Sequence, residues 1–245
     1  MNQPNLLEPD NKEIAKFSAH SADWWREDGA FKPLHRLNNI RLSYIRQQLA
    51  QYWGEGNFQG RTILDVGCGG GLATLPLARL AANQQATIIG IDPDVTAIAA
   101  ANKKAMMEQL DVSFITGNLL DAAQWPKADA ILALEVIEHV PNPQAFVQSL
   151  SRLLKPDGVL ILSTLNRTPL SWLMGIAAAE YLLQWVPKGT HEWKKFITPA
   201  ELAQMIRSNA GLVEDITGIV YHPLRDEFIL SKNRVRVNYL MTTRF

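Results

Sequence analysis

Five short runs of almost uninterrupted apolar residues recur along this chain: Thr62–Val66, Thr87–Ile91, Val112–Thr116, Ala128–Leu134 and Val159–Leu165. A strand buried on one face alternates apolar with polar residues. Runs without that alternation mark strands covered on both faces, as in a parallel sheet between helices. Between the runs lie segments of helical apolar spacing, Leu72–Ala82, Val95–Leu110 and Pro143–Leu154. The pattern predicts a doubly wound α/β fold with helices on both faces of the sheet. At 245 residues the chain reads as one domain, 1–245, with a helical cap over 1–55 that breaks at Gly29–Pro33 and an apolar insertion over 166–197. Lys155-Pro156-Asp157-Gly158 reads as a turn. Thr198-Pro199-Ala200-Glu201 has capping-box spacing and starts a helix that Gly211 ends. Leu212–Ile219 and Val235–Thr242 are expected as two final strands.

Charge narrows the function. The chain has 24 Lys and Arg against 24 Asp and Glu, so its formal net charge is zero. That argues against a nucleic-acid partner, because such binding rests on a basic surface that neutralises phosphates. The single cysteine, Cys68, excludes an intrachain disulfide and a multi-cysteine zinc site, and reads as a small buried filler. The N-terminal stretch has neither an apolar signal core nor an Arg-rich amphipathic pattern, so a cytoplasmic location is expected.

The sharpest motif joins the first strand to the next helix: Ile63-Leu64-Asp65-Val66-Gly67-Cys68-Gly69-Gly70-Gly71. Glycines there permit a tight turn and close approach of backbone to a ligand. Asp92 ends the second strand, at about the spacing from which an acid reaches ribose hydroxyls. A dinucleotide site is the alternative, but its third glycine falls on Leu72. Asp65 suits a ligand with a cationic amino group. Together Asp65, Gly67, Gly69, Gly71 and Asp92 resemble the S-adenosylmethionine (SAM) site of class I methyltransferases. That resemblance implies a Rossmann-like fold with an antiparallel last strand. It also implies adenine contact near Asn118, after the third strand.

At the end of the fourth strand stands Leu134-Glu135-Val136-Ile137-Glu138-His139. A helical turn beginning here places Glu135, Glu138 and His139 on one face. Two carboxylates and an imidazole form a set that suits magnesium better than zinc. Without a metal, Glu138 or His139 is a candidate general base.

Further blocks extend the resemblance. They are Phe31-Lys32-Pro33-Leu34-His35-Arg36-Leu37-Asn38 with Arg41, then Ser163-Thr164-Leu165-Asn166-Arg167, then Val186-Pro187-Lys188-Gly189-Thr190-His191, and Val237-Asn238-Tyr239. With the glycine motif they closely resemble the ubiquinone biosynthesis O-methyltransferase family, from about Glu13 to Tyr239. The resemblance implies methylation of polyprenylated phenol and quinol substrates, 2-polyprenyl-6-hydroxyphenol and 3-demethylubiquinol. It implies SAM contacts at Arg41, Gly67, Asp92 and Leu134, and a metal triad, Mg2+, at Glu135, Glu138 and His139. Arg41 has its own physical case, since a guanidinium pairs bidentately with the carboxylate of SAM.

A polyprenyl tail sits in a bilayer. Pro169–Val186 is apolar except for Ser171, Glu180 and Gln184, and reads equally as an active-site lid or a membrane contact. The implied setting is bacterial, peripheral to the inner membrane, with a ubiquinone biosynthesis complex as partner. Two rival functions share this fold: methylation of nucleic acid or protein, and SAM binding without catalysis.

Overall fold

The computed structural model describes residues 24–26, 31–117, 125–173, 192–222 and 225–245. The first helix, α1 (Lys32–Trp53), has Pro33 in its opening turn and ends at Gly54, whose φ of 83° leaves the helical region. Leu37, Tyr44, Ile45 and Leu49 fall on one face by helical spacing and are buried.

Five parallel strands follow: β1 (Thr62–Val66), β2 (Thr87–Asp92), β3 (Ser113–Thr116), β4 (Ala128–Leu134) and β5 (Leu154–Leu165). Helices α2 (Thr74–Leu80), α3 (Val95–Met107), α4 (Pro143–Leu153) and α5 (Pro199–Arg207) accompany them. Successive strand residues face opposite sides, and both sides are covered. Leu64, Ile131 and Leu160 pack with Phe146 and Leu150 of α4 and Leu202 and Ile206 of α5. Their neighbours Ile63, Leu132 and Val159 pack with α1 and α2. This two-sided burial is why the strands lack alternation.

The antiparallel end of the sheet is larger than the sequence suggests. It comprises β6 (Leu212–His222), β7 (Glu227–Ser231) and β8 (Asn238–Arg244), and the full order is β3-β2-β1-β4-β5-β8-β6-β7. The last strand, β8, lies antiparallel between β5 and β6. Strand β7 was not foreseen, because a five-residue, half-exposed edge strand has too few apolar positions to stand out. The expected turn at 155–158 is held inside β5. The register with β4 steps from Ala128↔Leu154 to Ala130↔Val159, and the extra residues bulge out through Asp157, whose φ is 61°.

Strand order reverses beside β1, between β2 and β4. In open α/β sheets, ligands bind outside the carboxyl ends of the strands at that switch point. The ends there are Val66, Asp92 and Leu134.

Candidate functional site

The glycine loop leaves β1 with Gly67, Gly69 and Gly71 all at positive φ (72°, 52° and 82°). A side chain at any of the three would also meet close contact. A Cβ on Gly67 would lie 2.4 Å from Val136, and one on Gly71 would lie 2.7 Å from Phe114. The loop is pinned to β2 through backbone. Gly67 and Cys68 N–H donate to the Ile91 carbonyl, at 2.8 and 3.1 Å, and Gly69 N–H donates to Asp92 Oδ2 at 2.8 Å. Asp92 Oδ1 accepts from Asp94 N–H.

Asp65 is buried beneath the loop and accepts from Thr74 Oγ1 at 2.5 Å. Burial pushes its carboxyl up to about 6, aided by the charge of Asp92 and opposed by the Thr74 hydroxyl and Arg41. Burial also raises Asp92 to about 6 against the bonds from Asp94 and Gly69. Two carboxyls that are costly to ionise alone thus flank one loop, and a cationic ligand would stabilise their charged forms. Cys68 is buried, and burial raises its thiol well above the usual range.

Arg41 reaches this edge from α1. Its Nη2 lies 3.0 Å from Glu135 Oε1, an ion-pair distance, but no N–H is aimed at the oxygen. Nε and Nη2 are therefore buried without a hydrogen-bond partner. Asn38, one turn earlier, donates to the Leu72 carbonyl at 2.6 Å and fixes α1 against the glycine loop.

Leu134 ends β4 half-buried, and Glu135 follows it with φ 56°, a left-handed conformation uncommon for a residue with a side chain. Ser163 holds it there. Glu135 N–H donates to the Ser163 carbonyl at 3.0 Å, and Ser163 Oγ donates to Glu135 Oε1 at 2.8 Å. That same Oε1 accepts from Asn238 Nδ2 at 3.0 Å. Glu138 is buried. Its Oε2 accepts from Thr164 Oγ1 at 2.9 Å, and its Oε1 has no hydrogen-bond partner. Burial, with the charge of Glu135, raises the Glu138 carboxyl well above the usual carboxylate range.

The expected one-face triad is not assembled. The helical turn Ile137–His139 begins after Glu135, whose left-handed φ takes it off the helical path. Among the described residues, no group of three or more His, Cys, Asp or Glu side chains is placed to hold a metal ion. Glu135 Oε1 already faces Arg41, Ser163 and Asn238, so this arrangement does not fit magnesium.

Asn118 and His191 lie outside the described residues, as does most of the apolar insertion, 174–191. The edges of that insertion are described. Leu170, Trp172 and Leu173 on one side and Trp193 on the other are exposed, and Trp193 Nε1 donates to the Thr168 carbonyl at 3.0 Å. Sequence reasoning missed the covering of the loop. Trp24 lies on Gly69 and Gly70, where an added Cβ would approach its ring to 2.6 and 2.4 Å, and it stacks on Phe31 at 3.8 Å. Trp25 Nε1 donates to the Gly70 carbonyl, and His35 Nε2 donates to the Trp24 carbonyl. The paired tryptophans were the available signal.

Sheet order and a glycine loop beside an acid-ended β2 define a class I methyltransferase, and a family model described as "Methyltransferase domain" matches residues 37–213. Solved structures agree at the level of fold. Magnesium protoporphyrin IX methyltransferase from Synechocystis PCC 6803 with bound SAH superposes with a TM-score of 0.66 at 20% identity, covering 96% of this chain and 99% of that one. A SAM-dependent methyltransferase from Thermotoga maritima gives 0.61 at 17% identity, covering 94% and 98%. Sequence relatives are closer. The ubiquinone biosynthesis O-methyltransferase of Dinoroseobacter shibae is 42% identical over 244 residues, with 96% of each chain covered. That of Salmonella paratyphi A is 40% identical over 237 residues, covering 96% of this chain and 93% of its own. This chain belongs to the ubiquinone biosynthesis O-methyltransferase family, and is a SAM-dependent O-methyltransferase.

Proposed function

We propose that the chain carries the methyl group of SAM to a phenolic oxygen of polyprenylated catechol-type intermediates. These are 2-polyprenyl-6-hydroxyphenol at one step of ubiquinone biosynthesis and 3-demethylubiquinol at another. The observation that carries this reading is Arg41. Its buried guanidinium lies 3.0 Å from Glu135 Oε1 through Nη2, and its Nε is buried without a hydrogen-bond partner. In this reading the backbone of Gly67 and Gly69 cradles the methionine portion of SAM. Asp65 faces its ammonium, Arg41 its carboxylate and Asp92 its ribose hydroxyls. Leu134 contacts it through backbone, and Asn118 lies near adenine.

Methyl transfer is an in-line displacement. The phenolic oxygen bonds to the methyl carbon as the carbon–sulfur bond breaks, and SAM leaves as a neutral thioether. The protein's main contribution is to hold the oxygen behind the methyl group. The phenol must also lose its proton. Glu138 is buried with its Oε2 held by Thr164, its carboxyl raised by burial and by the charge of Glu135, and it shares the role of candidate base with His139. No step is routed through magnesium.

A peripheral membrane contact belongs to the same proposal. The exposed Leu170, Trp172, Leu173 and Trp193 beside Lys194 and Lys195 support it, since apolar and aromatic side chains flanked by lysines suit a lipid–water interface. Among the described residues no helix is long and apolar enough to cross a membrane. A ubiquinone biosynthesis complex at that surface is the matching partner. In flotation with anionic vesicles, binding is expected and is lost when Trp172 and Trp193 are both changed to Ser.

The test of the activity is incubation with SAM and a prenylated catechol, in magnesium and in chelator. A monomethylated product is expected. Its absence in both conditions, with SAM binding shown by calorimetry, overturns the substrate reading. Product in magnesium alone would show that Glu135 and Glu138 rearrange to hold the ion.

A further inference from the structure

The network around Glu135 contains an oxygen with nothing to do. Asn238 opens β8 and is 8% exposed. Its Nδ2 donates to Glu135 Oε1, while its Oδ1 is buried with no hydrogen-bond partner. An amide can often be drawn either way round. Here the carboxylate decides, because a flip would set oxygen against oxygen at 3.0 Å. The orphan is therefore an acceptor. A buried acceptor without a donor destabilises the folded chain, so one retained at a site calls for a ligand that supplies the donor.

Its surroundings point to which ligand. The Glu135 oxygen that fixes Asn238 is also 3.0 Å from the Arg41 guanidinium and 2.8 Å from Ser163 Oγ. Asn238 therefore belongs to the edge where the methyl acceptor is read to sit, and it comes from the Val237-Asn238-Tyr239 block, to which no role has yet been given. A catechol brings two adjacent hydroxyls. One oxygen attacks the methyl carbon and gives its proton to the base; the other keeps its proton throughout and needs an acceptor. An amide oxygen suits the second, since it accepts a hydrogen bond without taking the proton.

We propose that Asn238 contacts the substrate, accepting a hydrogen bond through Oδ1 from the catechol hydroxyl that is not methylated. It thereby selects which of the two oxygens faces the methyl donor. This rests on the O-methyltransferase reading above.

The measurement is the ratio of the two monomethyl isomers formed by the full chain from SAM and an unsymmetrical prenylated catechol, separated by chromatography. The unaltered chain is expected to give mainly one isomer. Asn238→Ala is expected to raise the minor isomer's share about tenfold relative to the major, equivalent to about 1.4 kcal/mol, with the Kd for SAM within about twofold. Asn238→Ser provides the same reading if the alanine variant does not fold. Asn166→Ala is the control. Asn166 Oδ1 is also a buried orphan, but its Nδ2 is tied to the Val235 carbonyl, so that variant should keep the isomer ratio. An equal mixture from the unaltered chain, or an unchanged ratio in the Asn238 variants, overturns the proposal. No product at all from the unaltered chain overturns the O-methyltransferase reading instead.

Discussion

The two halves of the proposed site are built on opposite plans. The donor half, from Gly67 to Asp92, bonds its polar groups to nearby backbone: Asp92 to Gly69 and Asp94, and the loop amides to Ile91. The acceptor half gathers Arg41, Glu135, Glu138 and Asn238 from α1, the end of β4 and the start of β8, and leaves buried nitrogens and oxygens without partners on three of the four. Within Gly67–Asp92 no buried side-chain nitrogen or oxygen lacks a partner. The other half is completed by what binds, and the unmet capacity lies where charge and hydroxyl groups must be recognised.

The sharpest way to break this contrast is to remove the cation that bridges the halves. Arg41→Met keeps the length of the side chain and loses its charge. It is expected to raise the Kd for SAM about 100-fold, because a buried charge pair loses one member (about 2–5 kcal/mol). Calorimetry checks it. An unchanged Kd would assign Arg41 to Glu135 alone and leave the SAM carboxylate without a partner.

On the donor side, Gly67→Ala forces a Cβ toward Val136 at a φ of 72°. Strain of about 1–3 kcal/mol predicts roughly 10- to 100-fold weaker SAM binding, read with a thermal melt to separate local from global damage. Equal binding by the alanine variant would show that the loop moves freely and is not preformed.

A third effect comes from pH. Asp65 and Asp92 have carboxyls raised to about 6, above their ordinary 3.8. The folded, ligand-free chain therefore holds more protons than the unfolded chain between about pH 4 and pH 6. Its stability falls as pH rises through that window, because ionising these buried groups opposes folding. SAM reverses the sign by favouring the carboxylates. Its affinity is expected to rise about tenfold between pH 5 and pH 7.5 if one of the two must ionise to bind. Asp92→Asn is expected to flatten the part of the profile that belongs to Asp92. A profile that falls with pH would remove these carboxyls from the proposed cofactor site.

The donor half was legible in the sequence because its partners are close along the chain. Asp65, Gly67, Gly69, Gly71 and Asp92 span a single strand–turn–helix–strand unit, and glycine at a positive φ leaves a direct mark on composition. The acceptor half was half legible. Glu135, Glu138 and His139 are adjacent in sequence, but their shared face depended on a helix that the φ of Glu135 does not permit. Nothing local announces that conformation, since it is held by Ser163, 28 positions away. Asn238 is 103 positions from the carboxylate it touches. The sheet showed the same division. Its parallel core was plain from unbroken apolar runs, while the short edge strand β7 was not.

The smallest expected effect tests where the site ends. Arg36 and Asp226 form an ion pair at 2.7 Å, joining α1 to the turn before β7, with both side chains well exposed. Exposed pairs contribute about 0–1 kcal/mol, which for a domain of this size shifts Tm by no more than about 4 °C. Arg36 stands five positions before Arg41 on the same helix, yet it faces the surface while Arg41 is buried. Arg36→Ala is therefore expected to leave SAM affinity and the isomer ratio unchanged and to lower Tm by a few degrees at most, less in high salt. If it weakened SAM binding as Arg41→Met does, α1 would be acting as one rigid lever whose outer end sets the inner one. The contrast between a partnered donor half and an open acceptor half would then have to include the position of the whole helix.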